Sequence, residues 1–195
     1  MFKNLLFLFA FSFSILFVLY ISIVSANDSE NVVPETTTCT GQELQLNGWG
    51  TRKKLFIKLY VASLYVQKKI NDADQFLEME QASCIRMQIT SSKITSEKMI
   101  KATREGFEKS TKGNTAPIES EIEKFFSWLK QPIKKGDVLE FSFSPHNTTH
   151  VIKNDQELGV IENKQFAAAL FGIWLGEMPA QENLRDELLG QLHTL

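Results

Sequence analysis

Residues Leu55 to Val66 carry apolar side chains on both faces of a two-residue period, with Leu55, Ile57, Leu59 and Val61 on one face and Phe56, Tyr60, Ala62 and Leu64 on the other. A strand of this kind holds only where both faces are covered, so the chain must build a sheet with further material packed over it. Lys58 is the exception, a charge on the second face next to Tyr60. With 43% hydrophobic residues, 15 Phe among them, the 195-residue chain can fill one sizeable core, and extended disorder is excluded.

The elements around this strand follow from shorter patterns. Leu44 and Leu46 alternate with Gln45 and Asn47 as in a half-buried strand, which Gly48 and Gly50 interrupt; two glycines so close predict a bulge or a close backbone approach. Ala73 to Met79 reads as a short helix and Cys84 to Thr90 as a strand. Thr95 is placed to cap a helix that carries Met99, Ala102 and Phe107 and stops at Gly113. Pro117 starts a second helix, with Ile118, Ile122, Phe125, Phe126 and Leu129 as its apolar stripe. Residues 138–144, 148–153 and 157–161 read as an antiparallel meander turned by Pro145-His146-Asn147 and Asn154-Asp155. Phe166 to Leu175, apolar on nearly all sides, predicts a buried helix, and Leu184, Leu188 and Leu189 mark a last one. This order of elements predicts an α+β fold with helices packed on an antiparallel sheet.

Before the domain, Lys3 precedes an uncharged stretch from Leu5 to Val24, and Val24-Ser25-Ala26 fits the small-residue rule of a signal-peptidase site. Residues 1–26 are therefore expected to be a signal peptide or, being long enough to span a bilayer, an uncleaved N-terminal anchor. Residues 27–38, polar with Pro34 and three threonines, read as a flexible linker, leaving 39–195 as the folded domain. Export follows under either reading, to the periplasm or the medium, with membrane contact confined to residues 5–24. A balance of 21 Lys+Arg against 23 Asp+Glu, net charge -2, offers nucleic acid no broad cationic surface.

Few residues are placed to carry chemistry. Arg52 follows Gly48-Trp49-Gly50-Thr51 and leads Lys53 and Lys54; a guanidinium fork matches a carboxylate or an enolate-like oxygen, while the plainer alternative is a solvated basic turn. Tyr60 offers a second hydrogen bond to the same anion, or is simply core. Eight residues along one straight strand would separate the two by roughly 26 Å. They meet only if the chain reverses between Lys53 and Lys58, where no Gly, Pro, Asn or Asp stands. His146 and His150 fall across a turn and a strand without a third ligand, and two cysteines cannot make a four-cysteine zinc site, so neither metal nor cofactor is expected. In an oxidising compartment Cys39 and Cys84 are a candidate disulfide, whose geometry sequence does not reveal. Asp186, Glu187, Glu119, Glu121 and Glu123 read as solvated charge on helix faces. No complete acid–base constellation, nucleophile elbow or phosphate loop is present.

Together, Leu46 to Lys54, Lys58 to Val66, Lys135-Gly136-Asp137, Phe166 to Gly176, Pro179 and Leu188-Leu189-Gly190 resemble the pattern of chalcone isomerase-like domains over about Cys39 to Gln191. The resemblance implies an open-faced β-sandwich, an antiparallel sheet with helices packed on one face. The family holds plant enzymes that close chalcones into flavanones, plastid fatty-acid-binding proteins and exported bacterial members. In the first two branches an arginine of the first hairpin faces the ligand, and Arg52 matches it. Tyr60 lies where the fatty-acid binders carry a carboxylate-bonding tyrosine, and Ile173 where the plant enzyme carries a polar threonine. Both features imply an exported, non-catalytic binder of a small amphipathic carboxylate, a fatty acid first. The alternatives are an isomerase of the intramolecular lyase type, with Arg52 stabilising an oxyanion, and a structural or partner-binding domain without ligand.

Overall fold

In the computed structural model, residues 33–191 are described; the expected signal or anchor, and the expected linker up to residue 32, lie outside them. Seven strands form one sheet in chain order: β1 (Thr36–Cys39), β2 (Gln42–Lys54), β3 (Ile57–Val66), β4 (Ser83–Ile89), β5 (Val138–Ser144), β6 (Thr148–Lys153) and β7 (Gln156–Glu162). Every neighbouring pair is antiparallel. The helices are α1 (Ala73–Leu77), α2 (Ser96–Ser110), α3 (Glu119–Leu129), α4 (Lys164–Leu175) and α5 (Glu182–Leu188), with a 3-10 turn at Ala116–Ile118. Among the described residues no helix is long and apolar enough to cross a membrane.

Alternation sorts the sheet into two faces. Tyr60, Ala62 and Leu64 of β3, Ile85, Met87 and Ile89 of β4, and Leu139, Phe141 and Phe143 of β5 join one core with residues from all five helices. The α+β architecture with helices on one face is thus present as the sequence reads. At the heart of that core Phe107 of α2 meets Phe125 of α3 edge-on, with centroids 6.1 Å apart, and Phe166 of α4 at 5.6 Å. Local signals fix the helix ends: the Thr95 hydroxyl accepts from the Lys98 amide, and the Asn163 side chain accepts from the amides of Gln165 and Phe166.

The opposite face is covered near β1. There Cys39, Leu44, Tyr65, Ala82 and Cys84 form a second, smaller apolar cluster, and the Tyr65 hydroxyl donates to the Pro34 carbonyl. Cys39 and Cys84 are bridged across it, with Cα atoms 6.4 Å apart, so neither sulfur is left as a thiolate for a metal. Next to the bridge, Arg86 pairs with the buried Glu140 at 3.3 Å. Burial pushes the Glu140 carboxyl up, against the opposing pull of Ser142 and Arg86.

Three local readings change. Thr36 to Thr38, assigned to the linker, belong to β1, where they pair with Gln45, Leu44 and Glu43. Strand β2 is not broken at Gly48 and Gly50 but continues to Lys54. The glycines do mark both predicted features: the register slips between Leu46 and Gly48, and a Cβ at Gly48 would strike the carbonyl oxygens of Glu187 and Leu188. Finally, Leu55 and Phe56 are not strand residues. They form a two-residue turn, with Leu55 at a φ of 56°, and this turn reverses the chain between β2 and β3.

Because backbone atoms cannot retreat as a side chain can, Gly48→Ala is expected to destabilise the fold by about 1–3 kcal/mol. A lowered urea midpoint at unchanged slope checks it; an unchanged midpoint would mean that α5 can lift from β2 at no cost.

Candidate functional site

The hairpin turn brings the two sequence-predicted site residues together. Arg52 of β2 and Tyr60 of β3 are direct cross-strand partners, so the reversal at Leu55-Phe56 replaces a long separation with a neighbouring pair. Arg52 is half-buried. Its Nη1 donates to the Lys53 carbonyl at 2.5 Å and to Oε1 of Gln181 at 3.1 Å. The Gln181 amide also accepts from the Lys53 backbone N–H at 3.0 Å and donates to the Thr51 carbonyl at 3.4 Å. It thereby staples the entry to α5 onto the end of β2. Among the described residues no carboxylate lies within ion-pairing distance of Arg52, whose partners are neutral oxygens.

Tyr60 is 8% exposed, and its hydroxyl accepts from the indole N–H of Trp174 at 3.0 Å. Trp174 is positioned in turn by α4 and by stacking on Phe141, with centroids 5.7 Å apart. Burial raises the Tyr60 pKa, and the Trp174 hydrogen bond and the Arg52 charge pull it part of the way back. The phenol is therefore protonated at neutral pH. With its oxygen already accepting from Trp174, its own hydrogen is available to an acceptor beside Arg52. The pair amounts to a guanidinium and a phenol O–H, two donors suited to an oxyanion.

Ile173, the neighbour of Trp174 on α4, is buried against Gly106 of α2, where a Cβ would lie 2.8 Å from its Cγ2. An open groove lined by Leu77, Glu80, Lys164 and Ala168 lies at the other end of α4. His150 pairs with Glu157 at 2.7 Å on the edge of the sheet, apart from the Arg52 site.

Sequence reasoning missed three contributors. Trp174 is hidden in a helix that is apolar all round, and Gln181 lies in a connection without a motif. Glu187 was read as solvated charge, yet its Oε2 is buried without a hydrogen-bond partner, beside Gly50, where a Cβ would collide with it. The signal for this was on the other strand: Gly50, two residues before Arg52, leaves the space that Glu187 occupies.

The family model described as chalcone isomerase-like matches residues 27–190. No curated protein matches the sequence. Among solved structures, the chain is similar to a fatty-acid binding protein of Arabidopsis thaliana, with a TM-score of 0.68 at 18% identity over 80% of this chain and 90% of that one. At that identity the likeness concerns the fold.

The linkage at Tyr60 has a definite sign. A folded-state pKa raised above the ordinary 10.0 gives a contribution that is complete below that value and is lost as pH rises through the raised one. Phenolate absorbance in the wild type minus Tyr60→Phe difference is expected only above pH 10, and Arg52→Met should move it higher still. A titration unmoved by Arg52→Met would show that the guanidinium does not act on the phenol.

Proposed function

The chain belongs to the chalcone isomerase-like family, and on that premise we propose that it is a non-catalytic binder of a small amphipathic carboxylate, a fatty acid first among them. The carrying observation is the cross-strand pair: a half-buried guanidinium without an anionic partner among the described residues stands beside a protonated phenol. A charge removed from water is costly until it is paired, and a carboxylate accepting from both groups supplies that pairing. Behind Tyr60, Ile89, Phe141 and Trp174 are apolar. These side chains are already nearly fully buried, so an aliphatic tail gains about 0.8 kcal/mol per buried methylene only where the core parts to admit it, while Arg52 fixes the head group.

The same groups argue against general-base catalysis. A phenol pushed to higher pKa by burial is a donor at neutral pH and a poor proton acceptor. The Ile173 side chain, packed on Gly106, offers no hydrogen bond to a flavonoid hydroxyl. Export, as residues 1–26 imply, would place this binder in the periplasm or outside the cell.

The test is mass spectrometry of small molecules extracted from the purified protein, together with titration of palmitate and of the matching alcohol. Palmitate is expected to bind and the alcohol to bind 10- to 100-fold more weakly, and Arg52→Met should erase the difference, as loss of a charge-assisted hydrogen bond of about 1.5–3 kcal/mol requires. Equal affinity for acid and alcohol in the wild type would remove Arg52 as the anion anchor. Turnover of a chalcone that is lost in Arg52→Met would replace the binder with the isomerase.

A further inference from the structure

The tip of the β2–β3 hairpin is the most exposed apolar feature among the described residues. Leu55 is 87% exposed, Phe56 102% and Ile57 45%. Two residues of turn could expose any small polar pair, and a left-handed first position favours Gly or Asn. Here it holds Leu55 at a φ of 56°, followed by a phenylalanine in bulk solvent. Neither residue is explained by folding, since neither is buried and one adopts a backbone conformation that its side chain disfavours.

The surrounding charge narrows what such a tip meets. Arg52, Lys53, Lys54 and Lys58 flank it, and no Asp or Glu occurs between Glu43 and Asp72, although the whole chain carries a net charge of -2. Lys53, Lys54 and Lys58 are exposed. Three apolar side chains on a projecting turn fall well short of the roughly 800 Å² per partner of a stable protein interface. A bilayer demands no complementary shape: apolar side chains enter the acyl boundary while a collar of cations meets anionic head groups.

We propose that the Leu55-Phe56-Ile57 tip docks the protein on the surface of an anionic phospholipid bilayer, with Lys53, Lys54 and Lys58 at head-group level. The sequence reading confined membrane contact to residues 5–24; this is a second and separate contact, made by the folded domain. It does not rest on the fatty-acid reading, because docking requires no ligand. If both hold, the docked hairpin presents Arg52 three residues before Leu55, at the edge of the layer in which fatty acids partition.

The experiment places an environment-sensitive fluorophore on the tip of the full chain through Phe56→Cys, and on an exposed turn at the opposite end of the sheet through His146→Cys. Both native cysteines are bridged, so the added thiol takes the label. Each protein is mixed with vesicles of phosphatidylcholine alone or with 30% phosphatidylglycerol. Whether or not residues 5–24 also hold the chain to the vesicle, only a docked tip distinguishes residue 56 from residue 146. The expected result is a blue-shifted emission, quenched by lipid-borne quenchers, at residue 56 alone and on the anionic vesicles. It should weaken in 0.5 M salt and fall at least tenfold when Lys53, Lys54 and Lys58 are all replaced by Glu. Equal responses at the two positions, or no response at residue 56, would overturn the proposal. So would a response to soluble polyglutamate but not to vesicles, which would assign the tip to an acidic protein.

Discussion

The contact between β2 and the C-terminal helix governs the site. Asn47, buried at the bulge, donates from Nδ2 to the carbonyls of Leu188 and Ile70 and accepts at Oδ1 from the Ile70 amide. One side chain thus ties β2 to the segment after β3 and to the end of α5. Gly48 and Gly50 let α5 approach closely enough for these bonds to form, and Gln181 closes the other end against Thr51 and Lys53. The helix is therefore anchored at both ends along the strand that carries Arg52. The guanidinium's setting is dictated by this docking as much as by the hairpin, because Gln181 reaches it only when α5 is seated.

The hairpin supplies the second constraint. Left-handed backbone at Leu55 costs on the order of 1–2 kcal/mol relative to an ordinary conformation. The ten residues of β3 repay it many times over through pairing with β2 and β4 and through nearly complete burial from Tyr60 to Val66. Compare the turn between β6 and β7, where Asn154 and Asp155 both take positive φ, a conformation those residues tolerate. The two turns do the same topological work with opposite chemistry. One is optimised for the fold, and the other is tolerated by it.

That contrast also accounts for what could be read in the sequence. Strands β4 to β7 and helices α2 to α4 carry their period and their stop signals in their own residues, so alternation, capping by Thr95, and the Asn154-Asp155 turn locate them. The β2–β3 hairpin lacks any turn residue, and a period-two pattern runs through its tip without interruption, which is why Leu55 and Phe56 read as strand. Arg52 and Tyr60 were identifiable singly, by residue type and by family pattern. Their apposition was not, because register across a turn is a property of pairing between strands. Glu187 shows the same limit from the helix side. Its place next to the Leu184 and Leu188 stripe does not say that a glycine on another strand has left room for its carboxylate.

Electrostatics connects these pieces. In the described structure Arg52 is satisfied by oxygens that carry no charge, while the carboxylate of Glu187 lies along the same strand beside Gly50 with a buried, unpaired oxygen. On the function proposed above, a carboxylate entering beside Tyr60 would gain two donors that Glu187 does not have. The fold thus fixes its own acid beside Gly50, through the backbone contacts at Gly48, and leaves the Arg52 guanidinium to neutral oxygens.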